Sequence, residues 1–327
     1  MIHLRIVARQ GKTELALELL EGSESVWNVV LLAGAVRHPE GDLILADVAR
    51  EDASVVVSDL EELGLGKDGS ISLSEIDTQI SEPAERAVAQ ARGAPSDAVV
   101  WEEVEAHTSE NVEISGTFLF MVLATLLAAV GVYQDSAILI VGAMVVGPEF
   151  GPLAGVCVAA VQRRGELALR STVALAVGFP LAISSAYAAA LALRATGLFE
   201  AGFTPEGHTI SNIIAEPDFF TFFVAVCAGA AGMLSLSTAK SGALIGVLIS
   251  VTTIPAAANI AVAAAYQDWS SWRGSMAQLA INLGSIVAAG SAVLYLQRWL
   301  YRRRRERHLS DAATPRSRAK TRSRSSS

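Results

Sequence analysis

The sequence predicts an α-helical polytopic membrane protein of six transmembrane helices in a 3+3 inverted arrangement, preceded by an N-terminal α/β domain of ferredoxin-like order. Three observations carry this expectation. Six apolar runs, Gly116–Tyr133, Ser136–Val161, Leu167–Leu193, Pro217–Ser235, Ser241–Tyr266 and Ser275–Leu296, are each close to membrane-spanning length, because about 20 helical residues cross the hydrocarbon core. Residues 1–81 instead alternate short strand-like and amphipathic helical patterns. Charge is divided by region: residues 1–115 hold 23 Asp and Glu against 8 Lys and Arg, whereas residues 298–327 hold 11 basic and 2 acidic residues. The formal charge of −8 is a sum of these opposites and points to no class of partner.

Within residues 1–81, HLRIVAR has strand composition and TELALELLEG the spacing of an amphipathic helix. VWNVVLLAGAV and DLILADVAR form a strand pair around the His38-Pro39-Glu40-Gly41 turn, residues 51–65 a second helix, and SISLSEIDTQI a last strand. The order β-α-β-β-α-β is that of a split βαβ domain. It contains no Gly-rich phosphate loop, catalytic triad or metal-ligand cluster, so neither an enzyme activity nor a cofactor or metal is expected. Residues 82–115, with Pro83, Gly93 and Pro95, predict a linker followed by a short acidic helix around Trp101–His107. The N-terminus lacks the apolar core of a signal peptide, which places this domain in the cytoplasm.

Residues 116–297 form the membrane domain. Gln134-Asp135 makes a helical hairpin of the first two runs. Basic residues fall in alternate connections: Arg163, Arg164 and Arg170 after the second run, Lys240 after the fourth, Arg298 and Arg302–Arg305 after the sixth. The positive-inside rule then puts both termini in the cytoplasm of a prokaryotic cell. Trp269 and Trp272 outside, and Trp299 and Tyr301 inside, suit interfacial anchors. Cys157 and Cys227 read as small apolar residues within their runs.

The second run is interrupted by GAMVVGPEFGPL, Gly142–Leu153. Pro148 and Pro152 each remove an amide donor, so a kink or break is expected there. Glu149 then lies near the membrane midplane, where a carboxylate is rare and faces protein or water. It suits a group that exchanges a proton or binds a cation, or else a structural carboxylate bonded to the amides freed by the break. Runs one to three and four to six form two triplets whose middle runs carry Pro148 with Pro152, and Pro255. Three crossings per half invert the second half, and paired Pro-interrupted segments in inverted halves point to a transporter-like site. Six Ala-rich helices with incidental prolines are the plainer alternative. Gly147, Gly151 and Gly155, like Gly242 and Gly246, recur at four-residue spacing and suit close helix packing. Asn259 and Asn282, with Thr252 and Thr253, suit inter-helix hydrogen bonds or a polar path beside Glu149. Glu200, Glu206, His208, Glu216 and Asp218 make the long external connection acidic.

GAMVVGPEFGPLAG after a helical hairpin, then GALIGVLISVTTIPAAANIAVA and AINLGSIVAA, resembles the uncharacterised hydrophobic-domain membrane family, a bacterial and archaeal domain of unknown function (DUF389). The resemblance covers about Gly116 to Leu296. Family members usually show a Ser-Pro-Leu-Met-Gly-Pro type sequence where this chain has Gly147 to Pro152, so Glu149 is a departure. They often carry Pro-Pro where this chain has Pro255-Ala256. The resemblance implies a fold and no established reaction.

These observations together lead to a transporter or channel for a small solute or ion, with Gly147, Pro148, Glu149, Gly151, Pro152, Pro255, Asn259 and Asn282 at its centre. The alternative is a membrane-anchored sensor or scaffold whose soluble domain binds a ligand or partner. Residues 298–327 are expected to be disordered. The Arg298–Arg307 cluster suits anionic lipid headgroups. The other partners expected are the bilayer, a small solute or cation and a second copy of the chain, with no nucleic acid.

Overall fold

The computed structural model describes residues 1–9, 11–76, 79–90, 114–199, 208–237 and 252–324. The chain divides into two compact units, residues 1–104 with 297–327, and residues 105–296. It is mostly helical, with one small antiparallel sheet near the N-terminus.

In the first unit, β1 (Ile2–Ala8), β2 (Val26–Arg37), β3 (Glu40–Val48) and β4 (Ser70–Glu75) pair antiparallel in the order β2-β3-β1-β4. Period-two alternation sends Ile2, Leu4 and Ile6 of β1, with Ile44, Ala46 and Val48 of β3, to one face. There they bury against Ala16 and Leu20 of α1 (Thr13–Glu21) and Val56, Val57 and Leu60 of α2 (Arg50–Glu62). Each Val, Leu or Ile among them contributes about 1.5–3 kcal/mol by leaving water. A short helix, α3 (Leu65–Asp68), precedes β4. The expected linker begins with a further helix, α4 (Glu82–Gln90), which buries Ala84 and Ala87. Pro83 sits in its first turn, where the missing amide costs nothing. The helix expected around Trp101–His107 lies outside the described residues.

Asp42 joins two elements of this unit, accepting from the Thr13 hydroxyl at 2.6 Å and from the Gly34 amide at 2.8 Å. These donors favour the ionised form and hold the carboxyl below its usual range. A lowered folded-state value means the bond stabilises above the unfolded value and is lost as pH falls through the folded one. Thr13→Ala is therefore expected to return Asp42 toward its ordinary value, with the NMR titration as the measurement. An unchanged midpoint would show that Thr13 does not hold it.

In the second unit, α5 (Ile114–Tyr133), α8 (Gly165–Ala195), α10 (Phe219–Ser237) and the stretch Trp269–Leu300 of α12 (Trp269–Arg324) are long and apolar enough to cross a membrane. The pair α6 (Ala137–Val146) and α7 (Phe150–Gln162) is long and apolar enough only when taken together, as a broken span or a re-entrant loop, and is bent by 49° at a break of three residues. The fifth apolar run is described only as α11 (Thr253–Ala265), 13 residues long. Lys240, Gly242 and Gly246 lie outside the described residues. A short helix, α9 (Thr209–Ala215), follows α8. The tail expected to be disordered continues α12 to Arg324 instead. Arg, Ala, Leu and Lys are good helix formers, and extending an existing helix avoids the cost of a new nucleus.

Elements recur at a constant interval. Gly165 and Trp269 begin α8 and α12, 104 residues apart. Phe150 and Thr253, 103 apart, begin α7 and α11, each of 13 residues. Each is closed by a left-handed residue, Arg163 (φ 60°) or Gln267 (φ 61°). In each, the next amide reaches back five residues, Arg164 to the Ala159 carbonyl at 3.1 Å and Asp268 to that of Ala263 at 2.9 Å, the Schellman closure.

Candidate functional site

The break lies at Gly147–Glu149. Gly147 is extended (φ −62°, ψ 127°), the conformation that a following proline imposes, and α7 starts at Phe150. Pro148 is thus the residue that separates the two helices. Pro152 breaks nothing: it is the third residue of α7, and Pro255 is the third residue of α11. In a first turn the proline replaces an amide that would have had no intrahelical partner. The counterpart of Pro255 is therefore Pro152. A further proline, Pro180, lies inside the 31-residue α8 without ending it.

The two helix starts meet. Thr253, the first residue of α11, donates its hydroxyl to Glu149 Oε1 at 2.7 Å, joining residues 104 apart in sequence. Glu149 is 3% exposed and Thr253 is fully buried. Glu149 Oε2 is buried and has no hydrogen-bond partner among the described residues. A Cβ on Gly147 would collide with the Glu149 carboxylate and stand 2.8 Å from Ile254 Cγ1. Glycine at this position therefore admits the carboxylate to its place. Gly151 is half-buried one turn on.

From this junction a file of buried polar groups runs along α11. Thr252 Oγ1 accepts from Gln278 Nε2 and Asn282 Nδ2, both at 2.9 Å. Asn259 Nδ2 donates to Ser275 Oγ at 2.8 Å and to the Ser211 carbonyl at 3.3 Å, while Ser211 Oγ donates to Asn259 Oδ1 at 2.8 Å. Asn259 and Asn282, expected to join helices, do so. Sequence inspection missed Gln278 and Ser275, though Ser275, Gln278 and Asn282 are spaced three and four residues apart on one face of an apolar helix. Ser211, in a segment expected to be a connecting loop, carried no signal. Instead α9 packs its residues against α11.

At the far end of α11 the Arg194 guanidinium bonds the Ala265 carbonyl and lies 4.4 Å over the Tyr266 ring, a cation at a helix C-terminus. Of the acidic residues expected in the connection before α10, Asp218 accepts from the Thr221 amide at 2.9 Å at the start of α10. Glu200 and Glu206 lie outside the described residues. Cys157, buried on α7, and Cys227, exposed on α10, are both free thiols. Among the described residues no group of three His, Cys, Asp or Glu is placed to hold a metal ion.

Residues 144–288 match the family described as a domain of unknown function, DUF389. A curated relative, an uncharacterised protein of Methanocaldococcus jannaschii, is 26% identical over 188 residues, 55% of this chain and 55% of that protein. The chain thus spans about half the length of the curated relative it matches. No solved structure matches the chain. The family match is narrower than the Gly116–Leu296 suggested by the motifs, but it holds both helix starts and the polar file: it is over residues 144–288 that this chain is similar to the DUF389 family.

Proposed function

We propose that this is a transporter or channel for a small solute or ion, with its central site where α7 and α11 begin. The observation that carries the reading is the buried Glu149–Thr253 bond joining the two helix starts. Irregular backbone at membrane depth persists where it is enclosed by protein or lines a polar path, and half-helices paired in this way build many transporter sites. The 103–104-residue recurrence of α7 and α8 in α11 and α12 supports a 3+3 inverted repeat, with six crossings in all. In it Glu149 and Thr253 occupy nearly corresponding places, as groups beside a pseudo-two-fold axis should.

The remaining assignments follow from the same reading. Both termini lie in the cytoplasm of a prokaryotic cell, with the basic tail on anionic lipid. The N-terminal unit is a ferredoxin-like domain that regulates the membrane half, and the protein is not an enzyme. Flux in proteoliposomes, over a panel of ions and organic acids, tests the central claim. Thr253→Val, which keeps the shape and removes the hydroxyl, is expected to change flux of the transported solute at least about tenfold, a difference of roughly 1.4 kcal/mol in barrier. Flux no greater than from empty vesicles for every solute would leave the sensor or scaffold alternative standing.

A further inference from the structure

The polarity of the junction says more than its location. An α-helix carries about half a positive charge at its N-terminus, and both α7 and α11 present that end at Glu149: it is the residue preceding α7, and its Oε1 is bonded by the first side chain of α11. Both helices are 13 residues long, enough for a developed dipole. Two such ends amount to about one positive charge facing one carboxylate. The first-turn amides of Phe150, Thr253 and Ile254 lie at these ends, where helices leave N–H groups without intrahelical partners. Such ends bind phosphate, sulfate and carboxylate, and repel cations.

Glu149 completes this picture from the ligand's side. The carboxylate is buried, yet among the described residues only one of its oxygens is bonded by another side chain, and by a neutral hydroxyl. A structural carboxylate at this depth would be expected to use both oxygens, because an unsatisfied charged group is costly. A tethered group resting in a site made for a free one need not. The neighbouring polar groups are donors too: Thr253 gives its hydroxyl to the carboxylate, and the side-chain amides of Gln278 and Asn282 donate to Thr252 Oγ1, one residue before it. No Lys or Arg occurs in α6, α7 or α11, so within these helices the positive potential is that of the helix ends.

We propose that the junction of α7 and α11 is an anion site occupied in this conformation by the chain's own Glu149 carboxylate, and that the solute it takes is a small anion, inorganic or carboxylate-bearing, which displaces Glu149. The assignment of a transported solute rests on the transport reading above; the site itself does not. It reverses the first expectation for Glu149, since two positive helix ends disfavour the cation that a lone buried carboxylate suggests. A resident competitor also imposes a cost on affinity: if Glu149 fills the site in about nine molecules of ten, the apparent Kd for a free anion is raised about tenfold.

Thermal unfolding of the purified full-length chain in detergent tests the site without requiring flux. Chloride, nitrate, acetate and phosphate are titrated with the cation held constant, then sodium is exchanged for choline with the anion held constant. The midpoint should follow the anion and ignore the cation. In Glu149→Gln, which keeps the size and removes the competing charge, half-maximal stabilisation should come at about one-tenth the anion concentration. Thr253→Val, which frees the carboxylate from its anchor, gives a second folded variant, expected to shift in the same direction by a smaller factor. A midpoint that follows sodium in wild type and loses that response in Glu149→Gln would overturn the proposal, as would no anion response in any of the three proteins. Anion binding of the expected pattern without anion flux in vesicles would uphold the site and defeat transport. Cation flux abolished by Glu149→Gln would uphold transport and defeat the anion site.

Discussion

Gly229→Leu is expected to destabilise the membrane half by about 3 kcal/mol or more, the upper part of the range for overpacked interiors. At Gly229 α10 meets α12 backbone to backbone: a Cβ there would stand 2.7 Å from the Ile286 carbonyl oxygen and 2.8 Å from its Cα. Backbone cannot step aside as a flexible side chain can, so the two helices must separate. One turn further on, Gly290 of α12 brings Met233 to within 2.8 Å of its would-be Cβ and Cys157 Sγ to 3.0 Å. The contact therefore carries α7 as well, and separation would unpack three helices. Lipid offers no hydrophobic drive to restore them, since close packing is itself a main source of helix association in membranes. The thermal midpoint in detergent is the measurement. Ala231→Leu, on the exposed side of the same helix, should stay within about 0.5 kcal/mol of wild type. Equal midpoints for the two variants would show that the approach of α10 and α12 does not limit stability.

Asn259→Leu is the second large effect, for the opposite reason. Three hydrogen bonds converge on this fully buried side chain, two with Ser211 and one with Ser275. Inter-helix hydrogen bonds in membranes average only about 0.6 kcal/mol each, which taken alone would predict a cost of about 2 kcal/mol. Leucine leaves the Ser211 and Ser275 hydroxyls stranded in an apolar interior, however, at about 1–3 kcal/mol for each unsatisfied group. A loss of about 3 kcal/mol is therefore expected. Because stranding dominates, adding Ser211→Ala and Ser275→Ala to Asn259→Leu should recover part of the loss. A triple variant less stable than the single one would mean that the serines have other partners to satisfy them.

The N-terminal sheet was legible because its strands alternate: Ile2, Leu4 and Ile6 point one way and His3 and Arg5 the other, and a period of two has few other solutions. The long spans were legible by apolar length alone. The break at Pro148 was equally plain, but the roles of Pro152 and Pro255 were not. A proline that ends a helix and one that opens the next look alike in sequence, because both follow from the same missing amide. Ser211 was hidden for another reason: its partner Asn259 lies 48 residues away, and nothing local distinguishes a connecting serine from a docked one. The tail was misread because low apolar content argues against a packed core, not against a helix continued from a buried one.

The embedding of α11 bears on the order in which the chain is made. The core that holds Ala256, Ala257, Ala258 and Ile260 is lined by Met121, Ala124 and Ala128 of α5, Ala143 of α6 and Phe179 and Ala182 of α8. On the other side, α7 of the first half reaches Val287 and Gly290 of α12. Each short helix thus finds lasting neighbours in the opposite half. A ribosome that has released residues 114–195 into the membrane has delivered a group of helices around an unfilled centre, and the piece that fills it arrives only after α9 and α10. Until then residues 114–195 must be held by lipid, by insertion machinery or by other chains, so truncation between Ala195 and Thr253 should yield a product that is inserted but readily degraded.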